Sequence, residues 1–146
     1  MKVGLGSDHG GFKLKEQVKA HLEGQGIECV DYGTNSEDSV DYPKYGEKVG
    51  KAVVGGECDK GIVICGTGIG ISISANKVKG VICALCSDTF SARMTRMHND
   101  SNMLAMGERV VGTGLALDIV DIWLKTEFEG GRHATRVEKM KAIEEN

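Results

Sequence analysis

Apolar and polar positions along the chain alternate between two periods. Short apolar runs occupy residues 2–7, 27–32, 61–65, 81–86 and 102–106, each bounded by glycine or polar residues, and each predicts a strand. Between them the step changes. Leu14, Val18 and Leu22 recur every fourth residue, as do Tyr45, Val49 and Val53, so both stretches predict amphipathic helices. Pro43, the only proline, suits the first turn of the second of these. Further helices are expected over 70–77, 88–98 and 113–128, the last carrying Leu117, Val120, Ile122 and Leu124, with a charged terminal helix over 134–145. Strand and helix alternate throughout, which argues for a parallel sheet covered on both faces: an α/β/α sandwich with right-handed crossovers. No repeat, low-complexity tract or linker interrupts it, so residues 1–146 are expected to form one domain.

In such a sheet ligands collect beyond the carboxyl ends of the strands. The segments 7–11, 34–42, 65–70, 87–88 and 107–109 are therefore the places to look for chemistry. Composition narrows the partners. The 146 residues carry a net charge of −3, with 40% apolar and 27% charged residues, which describes an ordinary soluble protein. No basic face marks it for nucleic acid. The opening apolar run breaks at Ser7, Asp8 and His9, too soon for a secretory signal, and no stretch is long enough to span a membrane, so a cytoplasmic location is expected. Five cysteines form no disulfide framework and read as free thiols. Cys83 and Cys86 form a C-x-x-C, but on a strand residues three apart face opposite ways, which argues against a metal or redox pair.

Cys65-Gly66-Thr67-Gly68-Ile69-Gly70 is the sharpest signal. Glycines at alternate positions let backbone N–H groups converge on a small anion where a helix begins. A dinucleotide fingerprint would follow the first strand; here the loop follows the third, and Ile71 stands where the last glycine belongs. A tight strand–helix turn is the plainer reading of the same spacing. Cys65 lies just ahead of the helix, where the dipole favours a thiolate able to act as base or nucleophile. The same amides could hold an oxyanion. Asp8 and His9 end the first strand as a ligand-facing pair or, for Asp8, as a helix cap. His98, beside Asn99 and Asp100, closes the fourth helix, where it either answers the dipole or serves as an acid. His21 reads as a surface residue. All five arginines (Arg93, Arg96, Arg109, Arg132, Arg136) fall after residue 90. Arg132 and Arg136 share a spacing that would let both fork onto phosphate, or pair with Glu129 or Glu138 on a solvated face. Met94, Met97, Met103 and Met106 read as core filler.

Taken together, Ser7-Asp8-His9-Gly10-Gly11, Asp41-Tyr42-Pro43, the Cys65–Gly70 loop, His98-Asn99-Asp100 and Gly130-Gly131-Arg132-His133 resemble type B ribose-5-phosphate isomerase, a group that also holds galactose-6-phosphate and allose-6-phosphate isomerases. The resemblance runs the length of the chain. It implies a flavodoxin-like sandwich with a five-stranded parallel sheet, in a homodimer or dimer of dimers with active sites between subunits, and no metal or cofactor. It implies Cys65 as general base, Thr67 with Gly66, Gly68, Ile69 and Gly70 around an enediolate, and Asp8, His9 and Tyr42 on the sugar phosphate. His98 with Asn99 would open the sugar ring from the partner chain, and Arg109, Arg132 and Arg136 would hold phosphate. One branch of the group uses a glutamate as base; Ile69, Ile71 and Ser72 offer no acid here, so the chain follows the cysteine branch.

Overall fold

The computed structural model describes all residues, Met1–Asn146. Five strands, β1 (Lys2–Ser7), β2 (Glu28–Asp31), β3 (Lys60–Cys65), β4 (Cys83–Leu85) and β5 (Met103–Gly107), form one sheet in the order β2-β1-β3-β5-β4. Every pairing is parallel. The first three strands keep the flavodoxin order, and the last two are exchanged, with β4 at the edge.

Six α-helices cover the sheet: α1 (Phe12–Gly24), α2 (Tyr42–Val54), α3 (Ile69–Asn76), α4 (Thr89–Asn99), α5 (Thr113–Lys125) and α6 (Arg132–Ala142). Period-two alternation in β3 sends Ile62 and Ile64 to one apolar core and Val63 and Cys65 to the other. The first core is closed by Leu14, Val18 and Leu22 of α1 and by Ile119, Val120 and Trp123 of α5. Tyr45, Val49 and Val53 of α2, with Ile71 and Ala75 of α3, close the second. Met103 and Met106 are fully buried, one in each core, whereas Met94 and Met97 are half-buried and belong to neither, so only the first two fill the core. Cys83 packs against the second core and Cys86 lies in the first, so the C-x-x-C is split by the sheet. Burial raises both thiols, Cys86 to about 11, and all five cysteines are free.

Two helix ends differ from the pattern. The fifth helix stops at Lys125, three residues short of the expected end, because the buried Arg96 guanidinium donates to the Thr126 carbonyl at 3.2 Å and draws the chain away. Arg96 also bonds Asp100 and the Ser101 carbonyl, so this arginine is structural. The last helix begins two residues early, at Arg132, after Gly130 and Gly131 turn the chain with positive φ. His21 is corrected too. It is partly buried, its Nε2 2.8 Å from an Asp121 oxygen, and it joins α1 to α5. A partner one hundred residues away leaves no local trace.

Candidate active site

The connection after β1 runs toward one edge of the sheet and the connection after β3 toward the other, opening a crevice between their carboxyl ends. The Asp8 N–H donates to the Ile64 carbonyl (3.3 Å), fastening the 7–11 loop to the end of β3. A second tie comes from the turn after β2, where Ser7 and the Gly33–Thr34 segment exchange two hydrogen bonds of 2.8 Å. Lys15, wholly buried, holds that turn through Asp31 (2.7 and 2.8 Å) and the Thr34 carbonyl (2.6 Å). Burial works against the Asp31 carboxylate, but hydrogen bonds from Lys15 and the Gly33 N–H outweigh it and hold its pKa below the usual range.

Cys65 ends β3 with 4% of its surface exposed. Its Sγ accepts the Gly68 N–H at 3.1 Å. The sulfur packs on the second core, yet it also lines an open cleft of about 480 Å³ with Asp8, Tyr42, Gly66, Thr67, Ile69, Gly70, Ile73 and Arg109. Gly68 caps α3 in the left-handed region (φ 79°), and a Cβ there would stand 2.7 Å from the Met106 carbonyl carbon, so only glycine turns the amides this way. Thr67 Oγ1 accepts the Ile69 N–H at 3.1 Å. The remaining first-turn amides have no partner inside the helix, and Gly70 among them lines the cleft. Tyr42, at the start of α2, lies so close over Gly70 that a Cβ there would meet its ring carbon at 2.5 Å.

Asp8 caps the turn that follows it, one carboxylate oxygen accepting the Gly11 N–H at 3.1 Å, and the residue also lines the cleft. His9 Nδ1 accepts the Val40 N–H at 3.1 Å, which assigns the ring proton to Nε2. His9 lines a second cavity of about 200 Å³ with Gly10, Lys13, Glu37, Glu108 and Arg109. Arg109 therefore borders both spaces. Glu108, which the sequence reading passed over, accepts the Leu14 N–H at 2.7 Å and secures the start of α1.

His98 and Asn99 are elsewhere. They close α4, which runs back against the strands, and so lie at the amino end of β5. Cys65 pairs with Gly107 at the opposite end, four steps of about 3.3 Å away along the strand. His98, Asn99, His133, Arg136, Val137 and Met140 line a third cavity of about 300 Å³, which shares no residue with the Cys65 cleft. Neither Arg132 nor Arg136 is in an ion pair; Glu129 instead reaches His133 Nε2 at 3.3 Å. Ligand atoms of His98, Glu129 and His133 fall within 4.8 Å of one another, a spacing a metal ion could span. However, the lone pairs of the two stacked rings lie in separate, near-parallel planes, and Arg132 and Arg136 add positive charge. The trio fits a hydrogen-bonded stack better than a coordination shell. One chain thus carries a thiol beside the start of a helix at one end of the sheet, and an imidazole with guanidinium groups at the other.

Residues 3–140 match the ribose/galactose isomerase family. The chain belongs to that family. It is 54% identical to ribose-5-phosphate isomerase B of Escherichia coli, over 99% of this chain and 97% of that protein. The structure of Clostridium thermocellum ribose-5-phosphate isomerase B superposes with a TM-score of 0.98 at 61% identity, covering 99% and 98% of the two chains. Ribose-5-phosphate isomerase B of Mycoplasma genitalium, solved with bound ribulose-5-phosphate, superposes at 0.94 with 38% identity, covering 99% and 97%. The chain is thus an aldose–ketose isomerase of sugar phosphates, built on the five-stranded parallel sheet expected for it. No helix is long and apolar enough to cross a membrane.

Proposed function

We propose that this isomerase, as one domain over residues 1–146, interconverts ribose 5-phosphate and ribulose 5-phosphate through an enediolate, with Cys65 as the base. The observation that carries the reading is the Gly68 N–H aimed at the Cys65 sulfur, 3.1 Å away, in a cleft that also holds Asp8, Thr67 and Arg109. A thiolate there takes the C2 proton of the open-chain aldose. The electron pair moves into the C1–C2 bond and charge settles on O1, against the amides of the Gly66–Gly70 loop and Thr67. The proton returns to C1 and a second proton passes between O1 and O2, so no electron leaves the substrate and none enters. Amide donors take the part a Lewis acid would otherwise play.

Ribose 5-phosphate rests mainly as a ring and needs an acid near its anomeric oxygen first. His98, with Asn99 beside it, suits that task, but it cannot reach its own chain's Cys65. The site is therefore completed by a second copy in a homodimer or dimer of dimers. Ile69 and Ile73 on α3, Leu85 at the end of β4 and Phe90 at the start of α4 are exposed beside the cleft, an apolar rim that the second copy would cover. Arg109 from one chain and Arg132 and Arg136 from the other then converge on the phosphate, with His9. Five free thiols favour a reducing, cytoplasmic setting.

Turnover measured side by side on ribose 5-phosphate, allose 6-phosphate and galactose 6-phosphate tests the substrate. The pentose should be preferred, by a margin of about 1–3 kcal/mol for one extra carbon unit; preference for a hexose would overturn the assignment. Arg136→Ala should raise KM roughly 10- to 100-fold, the worth of a charged hydrogen bond, and lower kcat far less. A collapse of kcat at unchanged KM would place Arg136 in the chemical step instead.

A further inference from the structure

We infer that His133 is a positioning residue for His98, fixing the plane in which that imidazole meets the sugar ring. The inference rests on the reading of His98 as the ring-opening acid. The two rings are stacked, 4.2 Å between centroids and 13° from parallel. They come from separate elements, His98 from the last turn of α4 and His133 from the first turn of α6.

His133 is the better anchored of the two. It is 7% exposed, and its Nε2 lies 3.3 Å from a Glu129 carboxylate oxygen. Glu129 is anchored in turn, since its N–H donates at 3.1 Å to the carbonyl of Met97, the neighbour of His98. The closed loop Met97–Glu129–His133–His98 therefore joins two helices around one pair of rings. His98 has no hydrogen-bond partner in the chain, and the last turn of a helix frays readily. Without a wall its ring would sample several rotamers. An acid must meet its oxygen at about 2.6–3.2 Å, so that freedom would cost turnover.

The charges agree with this division of labour. Glu129, Arg132 and Arg136 are the ionisable neighbours of the stack. Burial, then the proximity of His98, Arg132 and Arg136, hold the His133 pKa below the usual histidine range, against the pull of Glu129. These surroundings favour the neutral form of the His133 imidazole.

Two readouts on the full-length enzyme separate positioning from other roles: turnover of ribose 5-phosphate, and exchange of the C1 hydrogen of ribulose 5-phosphate with D2O. Ribulose 5-phosphate carries phosphate on the hydroxyl that would close its ring, so exchange needs the base but no ring opening. His133→Ala should lower kcat on ribose 5-phosphate by up to about 100-fold, with KM and C1 exchange at wild-type levels. Unaltered exchange also shows the variant to be folded. His133→Phe, which keeps a flat ring, should recover most of the loss. Equal loss in the Ala and Phe variants, no loss in either, or a raised KM for both sugars at unchanged kcat would each overturn the inference, the last by making His133 a phosphate contact. His98→Asn separates the two readings. Full turnover in that variant removes the acid assignment itself, whereas a large loss there beside none in His133→Ala removes only the positioning role.

Discussion

Cys65→Ala should give a folded protein that binds ribose 5-phosphate with near-normal affinity and turns almost none of it over. A positioned base contributes roughly 10²–10⁴-fold, and the phosphate and sugar contacts proposed above do not involve the sulfur. The amide cradle should survive the change: Gly68 loses the sulfur to which its N–H donates, but the Met106 backbone and Leu85 side chain that leave no room for a Cβ there stay in place. Binding measured by titration calorimetry, set beside turnover, separates the outcomes. Turnover within a few-fold of wild type would show that another group takes the C2 proton. Lost binding together with lost turnover would mean that Cys65 shapes the cleft rather than acting in it. Cys83→Ala is the matched control, since that thiol lies beneath the edge strand, against the second core and away from the cleft.

Mixing two inactive variants should restore activity. If the Cys65 cleft of one chain faces the His98 cavity of another, a hybrid of Cys65→Ala and His98→Asn chains contains one site with both natural residues and one with neither. Random reassociation of equal amounts should then return about a quarter of the wild-type rate, starting from near zero. The measurement needs only unfolding, mixing and refolding, with each variant refolded alone for comparison. Activity no greater than the sum of the separate variants would mean that both residues serve a site built within one chain, or that they never share one. The geometry argues for recovery: the two groups sit at opposite ends of the β3–β5 pair, and the cavities they line have no residue in common.

These expectations began with local signals. Residues 65–70 show a thiol and alternate glycines at a strand–helix junction, and that pattern needs no distant partner to be recognised. His133 illustrates the opposite case. Nothing near it in the chain marks it out beyond a glycine pair and two arginines. Its significance lies in a ring thirty-five residues earlier that the α4–α6 contact brings against it. Lys15 and Arg96 are similar. Each is a charged residue on an otherwise ordinary helix; Lys15 is buried against Asp31 and the Thr34 carbonyl, and Arg96 against the distant Thr126 carbonyl as well as Asp100 and Ser101 at the end of its own helix. The two arginines of α6 remain without carboxylate partners, although Glu129 and Glu138 were plausible mates by spacing; Glu129 turns to His133 instead.

By itself the amino-acid order determined what is written in short-range periodicity and local chemistry. It contained the strands and helices to within a few residues, the parallel character of the sheet, the opposite facing of Cys83 and Cys86, and the glycine loop that meets Cys65. Tertiary structure alone decided the exchanged order of the last two strands, the burial of Lys15 and Arg96, the stack of His98 on His133, and the separation of that stack from Cys65. Local pattern follows from backbone geometry, which repeats every two or 3.6 residues. Strand order and ring stacking depend on which distant surfaces exclude water together, and no short window of sequence records that choice.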